Sequence, residues 1–284
     1  MSFKIIADSS ADLLSLDGVE FASVPLKIMT NEKEFCDDAG LNVSEMTEYL
    51  KKYKGRSGSS CPNAAEWYSQ FGDAERVFCV AITSGLSGSF NSACAAAREY
   101  MDEYPDRKVC VLDTLSAGPE TAMTAEKLAE FSLLGYSFEE AEERIREYLR
   151  HTHLTFSLES LRNFVNNGRV HPAVAKIAGL LGIRVIGRAS RKGELEMTGK
   201  ARGPEKALSD ILAEMRQNGY IGGRVRIHHC DNAESAYKLE KRIKDEFTGA
   251  NVTVSETRGL CSFYAEVGGL LVGYEGCSKE TGQA

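Results

Sequence analysis

Apolar residues fall along this chain in two rhythms: short unbroken runs, and longer stretches where they recur every three or four positions. Residues 77–82 and 109–112 are continuous apolar runs, as expected of strands covered on both faces. Residues 4–7 predict a further strand, and 21–29 one or two more, broken at Pro25. Helical spacing follows the two long runs, at 90–104 and 120–134. Asn42 with Glu45 has capping-box spacing for a helix reaching about Tyr53. Residues 138–150 predict an amphipathic helix with Phe138, Ala141, Ile145, Tyr148 and Leu149 on one side. Strand alternating with helix predicts a parallel sheet wrapped on both faces, with its ligand beyond the carboxyl ends of the strands.

The pattern changes at about 150–157. Beyond it the spacing predicts a helix over 158–167, a turn at Asn167-Gly168 and a short apolar helix after Pro172. Strands near 184–186 and 195–198 follow, then a helix over 204–217, a strand over 224–229, a helix over 232–247 and a strand over 251–255. The fold class read from this order is α/β in two domains, 1–155 and 156–284, each a mostly parallel sheet flanked by helices. Ala173, Val174, Ile177, Leu180, Leu181, Ile183 and Ile186 form a dense apolar patch that suits either plain core or the lining of a lipid tunnel.

With 284 residues, 26% of them charged and 43% hydrophobic, the composition is that of a globular protein with a sizeable core. A net charge of −7 argues against a general nucleic-acid binder, which needs a surplus of lysine and arginine. No apolar run approaches the roughly 18 residues of a membrane span. The first residues lack a basic leader with an apolar core, so a cytoplasmic location is expected. The eight cysteines include no Cys-x-x-Cys and read as reduced thiols. The five histidines show no metal-site spacing.

The chemistry concentrates in Thr83-Ser84-Gly85-Leu86-Ser87-Gly88-Ser89, between an apolar run and a helical pattern. A strand, a Ser/Gly turn and a helix start can aim N–H groups and hydroxyls at an anion; the same spacing also serves an ordinary N-capped turn. Glycines at 85 and 88 allow close approach and positive φ. A serine hydrolase would show Gly-x-Ser-x-Gly, and Gly85-Leu-Ser-Gly88 is one residue short. The phosphate-loop pattern of nucleotide kinases is absent.

Five segments in order resemble the DegV family of bacterial lipid-binding proteins. They are Ile5-Ile-Ala-Asp-Ser-Ser-Ala-Asp-Leu13, Ser59-Ser-Cys-Pro-Asn63, the 83–89 loop with Ser92-Ala93, Leu158 to Val170 with its Asn-Gly-Arg, and Gly199-Lys-Ala-Arg-Gly203. The resemblance spans nearly the whole chain. It implies a two-domain fold holding one long-chain fatty acid between the domains, its carboxylate bound by hydroxyls. It also implies no catalytic centre and no cofactor, with a separate fatty acid kinase as partner that makes the acyl phosphate. Carried onto this sequence, the candidate lipid contacts are Ser59, Ser60, Ser84, Ser87, Gly88, Ser89 and Arg169, with Arg202 toward the partner or its phosphate. Asp8 caps Ser9-Ser10 or orients the neighbouring loop.

A chain of about sixteen carbons at roughly 0.8 kcal/mol per methylene brings about 12 kcal/mol of gross transfer energy, so the tail would supply the affinity. An unpaired buried carboxylate would cost several kcal/mol, so donors must converge on it. One departure stands out. Where the family carries a carboxylate-binding histidine this chain has Ala265, flanked by Tyr264, whose hydroxyl can substitute, and Glu266, which would repel an anion. Two other readings stay open here: a binder of another anionic lipid or phosphorylated metabolite, and a serine-dependent acyl hydrolase.

Overall fold

The computed structural model describes residues 3–171 and 182–279. From the N-terminus run β1 (Lys4–Asp8), β2 (Phe21–Val24), β3 (Lys27–Thr30), β4 (Glu34–Cys36), α1 (Val43–Lys52), β5 (Ser57–Ser60) and α2 (Ala64–Phe71). There follow β6 (Arg76–Ala81), α3 (Ser89–Glu103), β7 (Lys108–Asp113), α4 (Pro119–Leu133) and α5 (Phe138–Leu149). β1, β2, β6 and β7 make an all-parallel sheet in the order β2-β1-β6-β7. Alternation along its strands feeds two cores. Ile5, Phe78 and Leu112 face α4 and α5 on one side, while Ile6, Val77 and Cys79 face Trp67, Phe71 and Tyr100 on the other. β3, β4 and β5 form a small antiparallel sheet beside it.

The helices start where the caps say. Asn63 and Glu66 form a full capping box before α2, as Ser137 and Glu140 do before α5. The Asn42 side chain takes the Glu45 N–H before α1. Cys79 and Cys110 are buried in the parallel strands, where desolvation raises both thiols, Cys110 to about 12.

The remaining elements are β8 (Thr152–Leu158), α6 (Arg162–Asn166), β9 (Ile183–Ala189), β10 (Leu195–Arg202), α7 (Pro204–Gln217), β11 (Gly223–His229), α8 (Ala233–Glu246), β12 (Ala250–Glu256), α9 (Gly259–Ala265) and β13 (Leu270–Glu275). Their six strands run β10-β9-β8-β13-β11-β12. This sheet is mixed rather than mostly parallel: β11–β12 pair in parallel, and its other pairings are antiparallel. One local and one long-range cause explain the difference. β9 and β10 are joined by a short hairpin, which forces opposite directions. β13 inserts between β8 and β11 antiparallel to both.

The helix expected over 158–167 shrinks to α6, because Leu158 ends a strand. Residue 155, where the pattern suggested a domain boundary, lies within β8. Ile183 and Ile186 of the apolar patch stand in β9; Ala173, Val174, Ile177, Leu180 and Leu181, with the short helix expected after Pro172, lie outside the described residues. Among the described residues no helix is long and apolar enough to cross a membrane.

Polar contacts tie the halves together. Asp37, after β4, accepts the N–H groups of Gly259 and Leu260 at 2.9 Å each, gripping the start of α9. Asp12 Oδ1 takes the Arg258 N–H at 2.7 Å, and its Oδ2 lies 2.8 Å from His228 Nδ1. Burial raises Asp37 to about 6, an effect partly offset by the two N–H donors.

Candidate functional site

The carboxyl edge of the parallel sheet, one face of the mixed sheet and α9 enclose a predominantly apolar cleft. Its apolar wall comes from alternation in β8, which turns Leu154, Phe156 and Leu158 to one face. Leu271 of β13 and Leu260 of α9 continue that wall, and Leu26 and Ile82 extend the strand ends beneath it.

Several polar groups interrupt this lining. Ser59 Oγ on β5 lies 2.8 Å from the Tyr264 hydroxyl on α9. The Tyr264 ring is fixed by Phe164 and Phe263, with centroids 4.7 and 4.9 Å away. Ser87, Gly88 and Arg169 share the same cavity. Arg169 Nη1 donates to the Asn167 carbonyl at 2.5 Å and Nε to the Leu86 carbonyl at 3.3 Å, which plants its guanidinium beside the Ser/Gly loop. Ser87 Oγ accepts the Ser89 N–H at 3.3 Å, leaving the Ser87 proton able to donate.

The Ser/Gly loop is braced from outside. Asp8 is buried and accepts from Ser10 Oγ at 2.5 Å, Ser89 Oγ at 2.7 Å and the Ile82 N–H at 2.9 Å. It thus both caps Ser9-Ser10 and holds the loop's two ends. Burial raises the Asp8 pKa against these bonds. Asp113 takes the N–H groups of Ser84 and Leu115, and Thr83 O those of Leu86 and Ser87. Most N–H groups of the loop are therefore used internally, so hydroxyls and the Gly88 N–H carry its donor capacity. Neither glycine adopts a positive φ; Gly88 sits at −77°. Gly85 serves close approach, since a Cβ there would lie 2.8 Å from the Lys192 carbonyl.

Ser59, Ser87, Gly88, Arg169, Tyr264 and Ala265 all line this one cavity. Four of the other sequence-derived candidates do not. Ser60 follows Ser59 on β5, so strand alternation turns it to the other face. Ser84 is exposed, and Ser89 spends its hydroxyl on buried Asp8. Arg202 is exposed at the end of β10. Glu266 turns away, its carboxylate taking Ser160 Oγ at 2.8 Å with Arg162 nearby, so it brings no negative charge into the lining.

Sequence reasoning missed the tip of the β9–β10 hairpin, where Gly193 and Glu194 cover the loop and the Gly193 carbonyl takes the Thr83 hydroxyl at 2.9 Å. Ser190-Arg-Lys-Gly193 was the available turn signal, with Gly193 at φ +74°. It also missed the period-two pattern of β8. Among the described residues no group of three His, Cys, Asp or Glu side chains is placed to hold a metal.

Fold and site define an α/β protein whose apolar chamber carries hydroxyls and a guanidinium, the makings of a site for an amphiphile with an anionic end. A family model described as "Uncharacterised protein, DegV family" matches residues 2–275. A DegV domain-containing protein of Streptococcus pneumoniae is 41% identical over 279 residues, covering 97% of this chain and 99% of its own. The chain belongs to the DegV family. Among solved structures, a DegV family protein from Eubacterium eligens loaded with heptadecanoic acid is 42% identical, with a TM-score of 0.95 over 97% of this chain and 100% of that one. The Streptococcus pneumoniae Fatty Acid Kinase (Fak) B3 protein loaded with linoleic acid is 41% identical, with a TM-score of 0.95 over 98% of this chain and 100% of that one.

Proposed function

We propose that this chain is a fatty acid carrier that holds one long-chain acid in the cavity and offers its carboxylate to a separate fatty acid kinase. The observation that carries the reading is an apolar cavity whose polar lining gathers Ser59, Tyr264, Ser87 and Arg169, in a chain 41–42% identical to proteins loaded with heptadecanoic and linoleic acids. Ser59, Tyr264, Ser87, the Gly88 N–H and Arg169 bind the carboxylate, and Tyr264 does the work of the family's histidine. Ala265 widens the wall beside it. Ser60, Ser84 and Ser89 act behind the lining rather than on the ligand, and Arg202 faces the kinase. No cofactor takes part, and the chain does no chemistry of its own; the kinase forms the acyl phosphate in the cytoplasm. The two lobes proposed at 1–155 and 156–284 then meet around the ligand, with the division better drawn before β8 than inside it.

Solvent extraction of the purified protein followed by mass spectrometry should release a long-chain fatty acid in near-stoichiometric amount. Recovery of only a phosphorylated metabolite would defeat the carrier reading, and turnover of acyl esters by the isolated chain would favour the hydrolase.

A further inference from the structure

Ser116, immediately beyond β7, lines the cavity and is only 2% exposed. Its backbone is fully engaged: the carbonyl accepts the Thr83 N–H at 2.8 Å and the Thr114 hydroxyl at 3.1 Å, and its own N–H reaches Thr114 Oγ1 at 3.3 Å. Its side-chain hydroxyl has no hydrogen-bond partner among the described residues. Ser23 and Ser157 also bury unpaired hydroxyls, but neither lines the cavity. The turn that presents Ser116 holds Leu115 at φ +50°, a left-handed conformation unfavourable to leucine, with the Leu115 N–H pinned by Asp113 at 3.0 Å.

The surroundings of this hydroxyl are apolar. Ala117 packs on the cluster of Leu26, Ile82 and Leu260, which also meets the Tyr264 ring. Gly118 abuts Leu271 and Cys261; a Cβ there would stand 3.1 Å from Leu271 Cδ1 and 3.7 Å from Cys261 Sγ. Ser116 therefore lines the cavity beside an apolar cluster that also touches Tyr264, with its carbonyl bonded to Thr83 at the root of the Ser/Gly loop. A buried donor left unpaired is unfavourable, and an apolar residue of similar size would avoid that penalty.

We infer that Ser116 is a specificity-determining contact that reads the hydrocarbon part of the ligand, favouring acyl chains with a hydroxyl or keto oxygen along their length. This rests on the carrier reading above, with the carboxylate held by Ser59, Ser87 and Tyr264. A saturated chain passing Ser116 leaves its hydroxyl unpaired. A chain oxygen at the matching depth pairs with it, and the hydroxyl can donate to a keto group or exchange roles with an alcohol.

The test is equilibrium binding to the delipidated, intact protein, comparing octadecanoic acid with a positional series of hydroxyoctadecanoic acids. A narrow range of hydroxyl positions should bind about three- to tenfold tighter than the parent acid, the yield of one net hydrogen bond. Ser116→Ala should erase that advantage while leaving the parent acid bound as before or tighter. Ser116→Cys, which keeps a γ atom and is only a weak donor, should also lose most of it, which keeps the test alive if the alanine variant folds poorly. The inference is overturned if no position surpasses the parent acid, or if the advantage survives in Ser116→Ala. Equal weakening of every acid by Ser116→Ala also overturns it, since Ser116 would then hold the head group. Binding of no long-chain acid at all brings down the carrier reading, and this inference with it.

Discussion

Replacing Tyr264 by phenylalanine removes one oxygen from the cavity and leaves the ring in place. The ring's packing on Phe164 and Phe263 does not involve the hydroxyl, so the wall keeps its shape. The lost atom lies 2.8 Å from Ser59 Oγ. Each of these hydroxyls has a single proton, so in the paired state one proton is used internally and the other is free to donate. A carboxylate between them can take both. A hydrogen bond to a charged group is worth about 1.5–3 kcal/mol, so Tyr264→Phe should weaken a long-chain acid about 10- to 150-fold. Ser59→Ala should lose a similar amount. The double variant should lose less than the two effects added, by about 1 kcal/mol, because each hydroxyl positions the other. Unfolding should shift by only a few degrees, since the pair is part-buried. Displacement of a fluorescent fatty acid at neutral pH measures the affinities, and the methyl ester of the same acid is the control. The ester lacks the charge, so it should respond far less. If both single variants stay within about threefold of the parent, or acid and ester weaken alike, the pair does not hold the carboxylate.

Two further outcomes test what surrounds that pair. Burial raises Asp37 from its ordinary 3.8 to about 6, so the folded state holds the proton more tightly than the unfolded chain. Its contribution to stability is therefore greatest in acid and falls as pH rises from about 4 to about 6, by about 3 kcal/mol. Denaturant titrations across that range should show Asp37→Asn lacking this fall; parallel curves would refute the assignment. Asp8→Ala strands the Ser10 and Ser89 hydroxyls and the Ile82 N–H, and should cost about 3 kcal/mol or more. Calorimetry should then show a drop of roughly 6–12 °C with weakened acid binding, and a change under about 2 °C would show the buried carboxylate to be idle.

The helices were legible because their signals are local. Asn42, Pro204 and the apolar stripe of 138–150 announce starts and faces within one or two turns, and α1, α5 and α7 begin where those signals say. The parallel strands were legible for the same reason, as unbroken apolar runs. Strand direction in the second sheet was not, because β13 is placed by partners more than forty and a hundred residues away along the chain. β8 was missed although Leu154, Phe156 and Leu158 alternate with Thr155 and Ser157; each polar residue faces the opposite side, where Thr155 meets the Tyr274 hydroxyl. In the site, residue type pointed to hydroxyls but not to their engagements. Ser87 and Ser89 look equivalent in sequence, and only the distant Asp8 separates them.

The same long-range dependence bears on how binding and docking are linked. Tyr264 and Ala265 ride on α9, whose first N–H groups are gripped by Asp37, while Asp12 holds the preceding Arg258 N–H and pairs with His228. Both anchors belong to the first third of the chain. Ser59 and Ser87 belong to that part too, so a carboxylate bound to Ser87, Ser59 and Tyr264 adds a further bridge between α9 and the first third of the chain. Acid bound only to the docked arrangement stabilises it by RT ln(1 + [L]/Kd), about 2.7 kcal/mol at a hundredfold excess over Kd. By reciprocity, loosening the Asp37 grip far enough to populate the undocked arrangement must lower affinity even though Asp37 does not line the cavity. The weakening of Asp37→Asn toward the acid should therefore track its loss of docking stability, and it should be smaller than that of Tyr264→Phe for the same loss. Equal affinity in a variant whose α9 has come loose would mean that the bridge is not the ligand's.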